Sequence, residues 1–249
     1  MNSMQLRVKS NNYTVELNVK NLLPRSADSE QFASKLDEIL QEVDFCNPGT
    51  TIRPLYLLRD GVLLYESETL LPSFDDGNKP RILLVFGNPA VHSVANGMFF
   101  FSKTNGDRHQ FWGKLAKAGL VHEYKSKETT HFRQREDEAT KHRQMIINGT
   151  ASTHFLVGMT TFFSLPTRSD KGVKGVEELF KDAVGELAKL EKQRILSYPF
   201  SKNAILVFTQ LSTYRRFRTI TTGTNPLYWP MRNASGKTLK ELLEKNCDK

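Results

Sequence analysis

Cysteine is almost missing from this chain: Cys46 and Cys247 are its two examples, far apart and without a C-x-x-C neighbour. That excludes zinc and iron–sulfur sites assembled from cysteines, and it fits two reduced thiols inside a cell. Long apolar runs are missing as well. Met1 to Val19 alternates polar and apolar residues without the apolar core of a signal peptide, and no later window approaches a membrane span. The expectation is a cytoplasmic protein that meets no membrane, whose sequons at Asn148 and Asn233 stay unmodified. Acidic residues are in the minority, 27 against 35 basic ones, and the resulting charge of +8 favours a polyanionic partner such as nucleic acid over an acidic protein.

What is present is enough for a full core. With 39% hydrophobic residues in 249, the chain is read as one domain over 1–249, comprising an N-terminal extension (1–80) and a core (81–249). In the extension, Leu6 to Val8 and Val15 to Val19 alternate around Asn11-Asn12, which predicts a hairpin. Phe32, Leu36, Ile39, Leu40 and Val43 share one helical face, with Asp28 or Ser29 as cap. Leu55 to Leu58 and Val62 to Tyr65 flank Asp60-Gly61, a second hairpin, and Pro72 to Pro80 reads as a loop.

From Arg81 the pattern changes to strand followed by helix. Strands are expected at Arg81 to Phe86, His154 to Thr160, Ala204 to Thr209 and Pro226 to Met231. Helices are expected at Arg108 to Leu120, Val176 to Leu196 and Lys237 to Glu244. Lys171 to Gly175 is a lead into the second of these helices rather than a phosphate loop. Val121 to Thr153 has no clean period and is read as partly helical and mobile. Alternation of this kind gives an α/β fold with a mostly parallel sheet covered on both faces. In such sheets ligands bind beyond the carboxyl ends of the strands. Asn88 stands at that end of the first core strand, followed by Pro89 and an aromatic cluster, Met98 to Phe101.

Three blocks then occur in order. Asn88-Pro89 is followed by Ser93, Gly97 and Phe100, and after them by Arg108-His109-Gln110-Phe111-Trp112 and Ala118-Gly119. Gly158-Met159-Thr160-Thr161 is followed by Pro166-Thr167. Asn233-Ala234-Ser235-Gly236 follows the last strand. Together they resemble the uracil-DNA glycosylase superfamily, most closely its mismatch-specific uracil/thymine branch, over roughly Arg81 to Leu243. The resemblance implies a three-layer α/β/α fold on a central four-stranded, mostly parallel sheet. It also implies a monomeric, monofunctional glycosylase that hydrolyses the bond between a flipped base and its sugar, with DNA as partner and neither metal nor cofactor.

The same resemblance assigns roles. Asn88 orients the attacking water, Gly87 and Phe100 hold the base, the latter by stacking, and Thr161 reads it. Ser93 and Ser235 donate to phosphates, Asn233 and Gly236 belong to the loop that enters DNA, and Lys237 grips phosphate where relatives carry an apolar wedge. Arg215 and Arg216, with Arg218, Tyr214 and Phe217, form a basic and aromatic stretch suited to a nucleic-acid backbone. Phe86 and Ala90 stand where the family carries Gly, so Phe86 narrows the expected pocket. His92 replaces a small residue and is read as structural or phosphate-side. Trp229-Pro230-Met231 lacks the His of the fastest branch, and an amide at position 88 cannot ionise, so turnover is expected to be slow. The competing readings are an inactive nucleic-acid-binding module of the same fold and a hydrolase of free nucleosides or nucleotides.

Overall fold

Two kinds of hydrophobic spacing, alternating before residue 70 and continuous after residue 80, produce two different sheets. A computed structural model describes residues 4–8, 13–23, 30–42, 52, 55–73, 77–103, 106–220 and 225–247. In chain order these form β1 (Met4–Val8), β2 (Tyr13–Asn18), α1 (Val19–Leu22), α2 (Glu30–Leu40), β3 (Tyr56–Arg59), β4 (Val62–Ser67) and β5 (Arg81–Phe86). There follow α3 (Val91–Ala95), α4 (Gln110–Lys117), α5 (His131–Ile147), β6 (Leu156–Thr161), α6 (Val173–Phe180), α7 (Val184–Ser197), β7 (Ala204–Phe208), α8 (Leu211–Ile220), β8 (Leu227–Tyr228) and α9 (Gly236–Cys247). The packing sorts into two compact units. The first holds 1–69, 87–99 and 161–194, and the second holds 70–86, 100–160 and 195–249.

In the first unit β1, β2, β4 and β3 form an antiparallel sheet in that order. Tyr13, Val15 and Leu17 of β2 and Leu63 and Tyr65 of β4 are buried, as a period of two requires of a sheet with one covered face. The β3–β4 turn places Asp60 at φ 52° and Gly61 at φ 73°, the left-handed pair that a two-residue hairpin needs. α2 turns Phe32, Leu36, Ile39 and Leu40 inward and packs on α6, with Phe32 meeting Phe180 edge-on at 6.4 Å. The Asn11-Asn12 turn, the Asp28 or Ser29 cap, Val43 and Cys46 lie outside the described residues.

The second unit carries the central sheet, in the order β6-β5-β7-β8, with all four strands parallel and helices flanking them. The protein is thus of the α/β class, in keeping with three α/β/α layers. Ile82 to Phe86 are all buried, which explains the unbroken apolar run of β5. Among the described residues no helix is long and apolar enough to cross a membrane.

Three segments differ from the sequence reading. The helix expected over Val176 to Leu196 is two helices, α6 and α7, joined by a 3-10 turn over Lys181–Ala183, where Lys181 adopts φ 44°. The strand expected over Pro226 to Met231 pairs only at Leu227 and Tyr228. The stretch Val121 to Thr153, read as partly helical and mobile without a clean period, contains the 17-residue α5, so its helical part is there and is longer and better defined than the reading gave it. Its inward face carries Arg135, Glu138 and His142 alongside Ala139 and Ile146, so a helical stripe is present but is only partly apolar.

A buried polar network holds the first unit together. Glu191, fully buried, accepts from the Ser164 amide and hydroxyl, each at 2.6 Å, and from Arg194 Nε at 2.6 Å. Arg194 also donates to the Tyr13 hydroxyl at 3.1 Å and to the Thr161 carbonyl. Tyr65 lies 2.7 Å from the Ser164 hydroxyl, and burial beside Glu191 pushes its phenol well above the ordinary range, so it stays a donor. Removing one member of a buried ion pair strands its partner in a dry interior. Glu191→Ala is therefore expected to cost about 3–5 kcal/mol in urea denaturation. A loss below about 1 kcal/mol, the range of exposed pairs, would show that water reaches the pair.

Candidate active site

The residues nominated from sequence fall into two groups, one in each unit. In the first unit the chain runs from Gly87, the residue after β5, through Asn88 and Pro89 into the short helix α3. Gly87 is buried and its carbonyl accepts from the Phe163 amide at 2.8 Å. The segments around Asn88 and Thr167 are laced together by backbone: Thr167 N donates to Pro89 O at 3.0 Å, and Val91 N to Thr167 O at 3.0 Å.

Asn88 is half-buried, and its Nδ2 donates to Thr167 Oγ1 at 2.7 Å and to Pro89 O at 3.2 Å. A carbonyl can only accept, so the bond to Pro89 fixes which end of the amide is nitrogen. Thr167 in turn has the carbonyls of Gly172 at 3.0 Å and Arg168 at 3.3 Å as acceptors for its hydroxyl. Asn88 Oδ1 has no donor among the described residues. The amide is thus anchored through its donor end and keeps its acceptor end for another group, the arrangement that a water-orienting residue needs.

The other nominees of this unit are deeper. Thr161 is fully buried, its carbonyl taken by Arg194, and its hydroxyl finds no hydrogen-bond partner among the described residues. Ser93 is 8% exposed within α3, which leaves little of its hydroxyl at the surface for a phosphate. His92 is buried, and its backbone amide donates to Glu42 Oε2 at 3.0 Å, in line with the structural reading. Lys171, in the glycine-flanked run, is bridged to Glu38 at 2.9 Å and Glu178 at 3.4 Å.

In the second unit Phe100 sits at φ 52° in an aromatic cluster, partly exposed. Its ring centroid is 4.1 Å from Phe111, 4.7 Å from His109 and 5.1 Å from Phe86, and its carbonyl accepts from the Trp112 indole at 3.3 Å. Phe86 is buried edge-on against both Phe100 and Phe111, so its bulk serves packing. His109 caps α4, with Nδ1 accepting from the Phe111 amide at 3.1 Å, which leaves the ring proton on Nε2.

Arg108, His109, Trp112, Tyr124, Glu138 and His142 line a cavity of about 150 Å³. The sequence reading missed this cluster because its α5 members lie in the stretch without a clear period. The spacing of Arg135, Glu138 and His142 on one helical face was the signal. Glu138 accepts from Arg108 Nε at 3.0 Å, Arg135 at 2.7 Å and the Ser126 amide at 3.0 Å. The His142 ring lies flat on Trp112, 4.3 Å away and 4° from parallel. Among the described residues no group of three or more His, Cys, Asp or Glu is placed to hold a metal ion.

The remaining nominees lie on α8, on α9 and on the turn that leads into α9. α8 turns Phe217 into the core, 4.8 Å from Phe208, and stacks Tyr214 on Tyr228 at 5.4 Å, while Arg215 and Arg218 are exposed and Arg216 is half-buried. Ser235 caps α9 by accepting from the Thr238 amide at 3.2 Å. Asn233 and Lys237 are exposed, the latter 3.9 Å from Glu241. Gly236 is buried because a Cβ there would fall 2.2 Å from the Lys114 carbonyl oxygen, so α4 and α9 can approach this closely only through glycine.

Burial lowers both His109 and His142 to about 4; Lys103 and Lys114 add to the effect at His109, while Glu138 partly opposes it at His142. Unfolded, each imidazole titrates near 6.5. Between roughly pH 6.5 and 4 the unfolded chain therefore binds protons that the native state does not, and stability falls as pH is lowered through that window. His142→Phe, which keeps a ring against Trp112, is expected to shrink the drop in Tm between pH 7 and 4.5; an unchanged drop would count against this origin. No protein-family model and no curated protein matches this chain.

Proposed function

We propose that the protein hydrolyses the N-glycosidic bond of uracil, or of another deaminated base, flipped out of DNA. The observation that carries this reading is the tethered amide of Asn88, whose donor end is bound by Thr167 and Pro89 while its acceptor end is free of any donor among the described residues. Such an oxygen accepts a proton of a water molecule and aims the water's lone pair at the sugar carbon as the bond to the base breaks. The reaction consumes only water. Because the amide is neutral it offers the developing oxocarbenium ion no full charge, and turnover is slow.

Phe100 is the residue assigned to stack on the base, and the exposed side chains Arg215, Arg218, Asn233, Ser235 and Lys237 are assigned to the DNA backbone. Their cations stand on two helices of one unit, α8 and α9, in a protein of charge +8. A second reading, binding without bond cleavage, is favoured by one feature: Phe111 and His109 already pack within 5 Å of the Phe100 ring.

Base release from labelled single- and double-stranded oligonucleotides carrying uracil, thymine opposite guanine, hypoxanthine or xanthine separates the two readings. Release is expected for at least one of these, with Asn88→Ala lowering the single-turnover rate by about 10²-fold. Binding to all of them with release from none would transfer the protein to the second reading. Arg215→Ala and Lys237→Ala are each expected to weaken binding evenly across sequences and to reduce the slope of log K against log salt by about 1. An unchanged slope would remove that side chain from the contact surface.

A further inference from the structure

Asn88 and Thr167 lie on two loops, at 87–90 and 167–172, that meet in a single parallel bridge between Ala90 and Thr167. Glu42, just beyond the C-terminus of α2, reaches both. Its Oε2 accepts from the His92 amide at 3.0 Å, and its Oε1 accepts from the Ser169 amide at 2.9 Å and from the Ser169 hydroxyl. One turn earlier the Ile39 carbonyl accepts from the Arg168 amide at 2.7 Å. The carboxylate is 7% exposed and has no ion-pair partner among the described residues, so backbone and hydroxyl donors alone hold it.

Ala90, at the start of α3, has no side chain with which to cap that helix. Glu42, some fifty residues earlier in the chain, supplies the missing acceptor for the second amide of the turn. Because its two oxygens go to different segments, the first turn of α3 that follows the Asn88 loop and the loop that carries Ser169, any shift of one against the other stretches a bond to the same carboxylate. Those are the loops whose mutual position sets the 2.7 Å bond between Asn88 and Thr167.

We infer that Glu42 is a positioning residue for Asn88: it locks the loop that carries the amide to the loop that anchors it. The inference rests on the proposed role of Asn88 in orienting water. Its glutamate is indispensable for a geometric reason. Glutamine keeps the length and shape but has one accepting oxygen, so its NH₂ group must face either the His92 amide or the Ser169 amide, donor against donor. That conflict displaces a loop by a fraction of an ångström to an ångström, and misplacement on this scale costs up to about 10²-fold in rate.

The test uses the full chain with Glu42→Gln, and with Ser169→Ala as a milder second variant that removes one hydroxyl donor. Two readouts are taken together with the melting temperature. The first is the side-chain amide ¹H–¹⁵N signal pair of Asn88, assigned by its loss in Asn88→Ala. The second is the single-turnover rate of uracil release with the oligonucleotide Kd measured beside it. Glu42→Gln is expected to move the Asn88 signals and to slow release by about 10- to 100-fold at nearly unchanged Kd. Ser169→Ala is expected to move the signals in the same direction by less. Unmoved Asn88 signals in both variants would overturn the inference, as would a rate loss no greater than the fraction unfolded. If the parent protein releases no base, the proposed reaction fails, and the Asn88 signals alone decide whether Glu42 positions that amide.

Discussion

A carboxylate taken out of water must find donors, and this protein uses that requirement to fix loop backbone that no sheet or helix can hold. Glu42, Glu138 and Glu191 are each at most 7% exposed, and each accepts at least one amide from an irregular segment: Ser169, Ser126 and Ser164, with Glu42 also taking the His92 amide in the first turn of α3. Desolvating such a group is expensive, by several kcal/mol per ion, unless charge-assisted hydrogen bonds replace the lost water. An acceptor of this kind tolerates only arrangements that keep its donors in place. The loops inherit its intolerance.

The same logic separates what could be read from the sequence from what could not. Period-two alternation marked β1 and β2, Asp60-Gly61 marked the hairpin of β3 and β4, and the unbroken run Ile82 to Phe86 marked a strand buried on both faces. Each is a local pattern with a local cause. α5 was legible only as an unplaced part of a partly helical stretch, because its inward face is built from Arg135, Glu138 and His142, which look like surface residues until their partners are known. The break between α6 and α7 also left no mark, since the turn at Lys181 uses neither glycine nor proline and the apolar spacing continues across it.

At the candidate site the position of Asn88 at a strand end was legible and its environment was not. The hydroxyl that anchors it belongs to Thr167, 79 residues away, and the carboxylate that braces both loops lies in the N-terminal segment. On α8 one short run of residues divides between core and surface. The run Tyr214 to Arg218 holds aromatics and arginines as expected. Its helix turns Phe217 into the core, however, and lays Tyr214 against Tyr228, leaving Arg215 and Arg218 exposed and Arg216 half-buried. A list of residue types cannot show that division; the 3.6-residue period can.

The span of these bonds bears on the order in which the molecule assembles. Asn88 is tied to a partner 79 positions on, and Glu42 closes onto Ser169 across 127 positions. Contacts between such distant points form only after the intervening chain has lost most of its freedom, and they slow folding. A nascent chain that has emerged only as far as β5 and α3 already carries the amide of Asn88 but nothing to hold it. The local order of this site therefore arrives late, with the second loop, and during synthesis Asn88 remains loose until Thr167 and Ser169 have emerged.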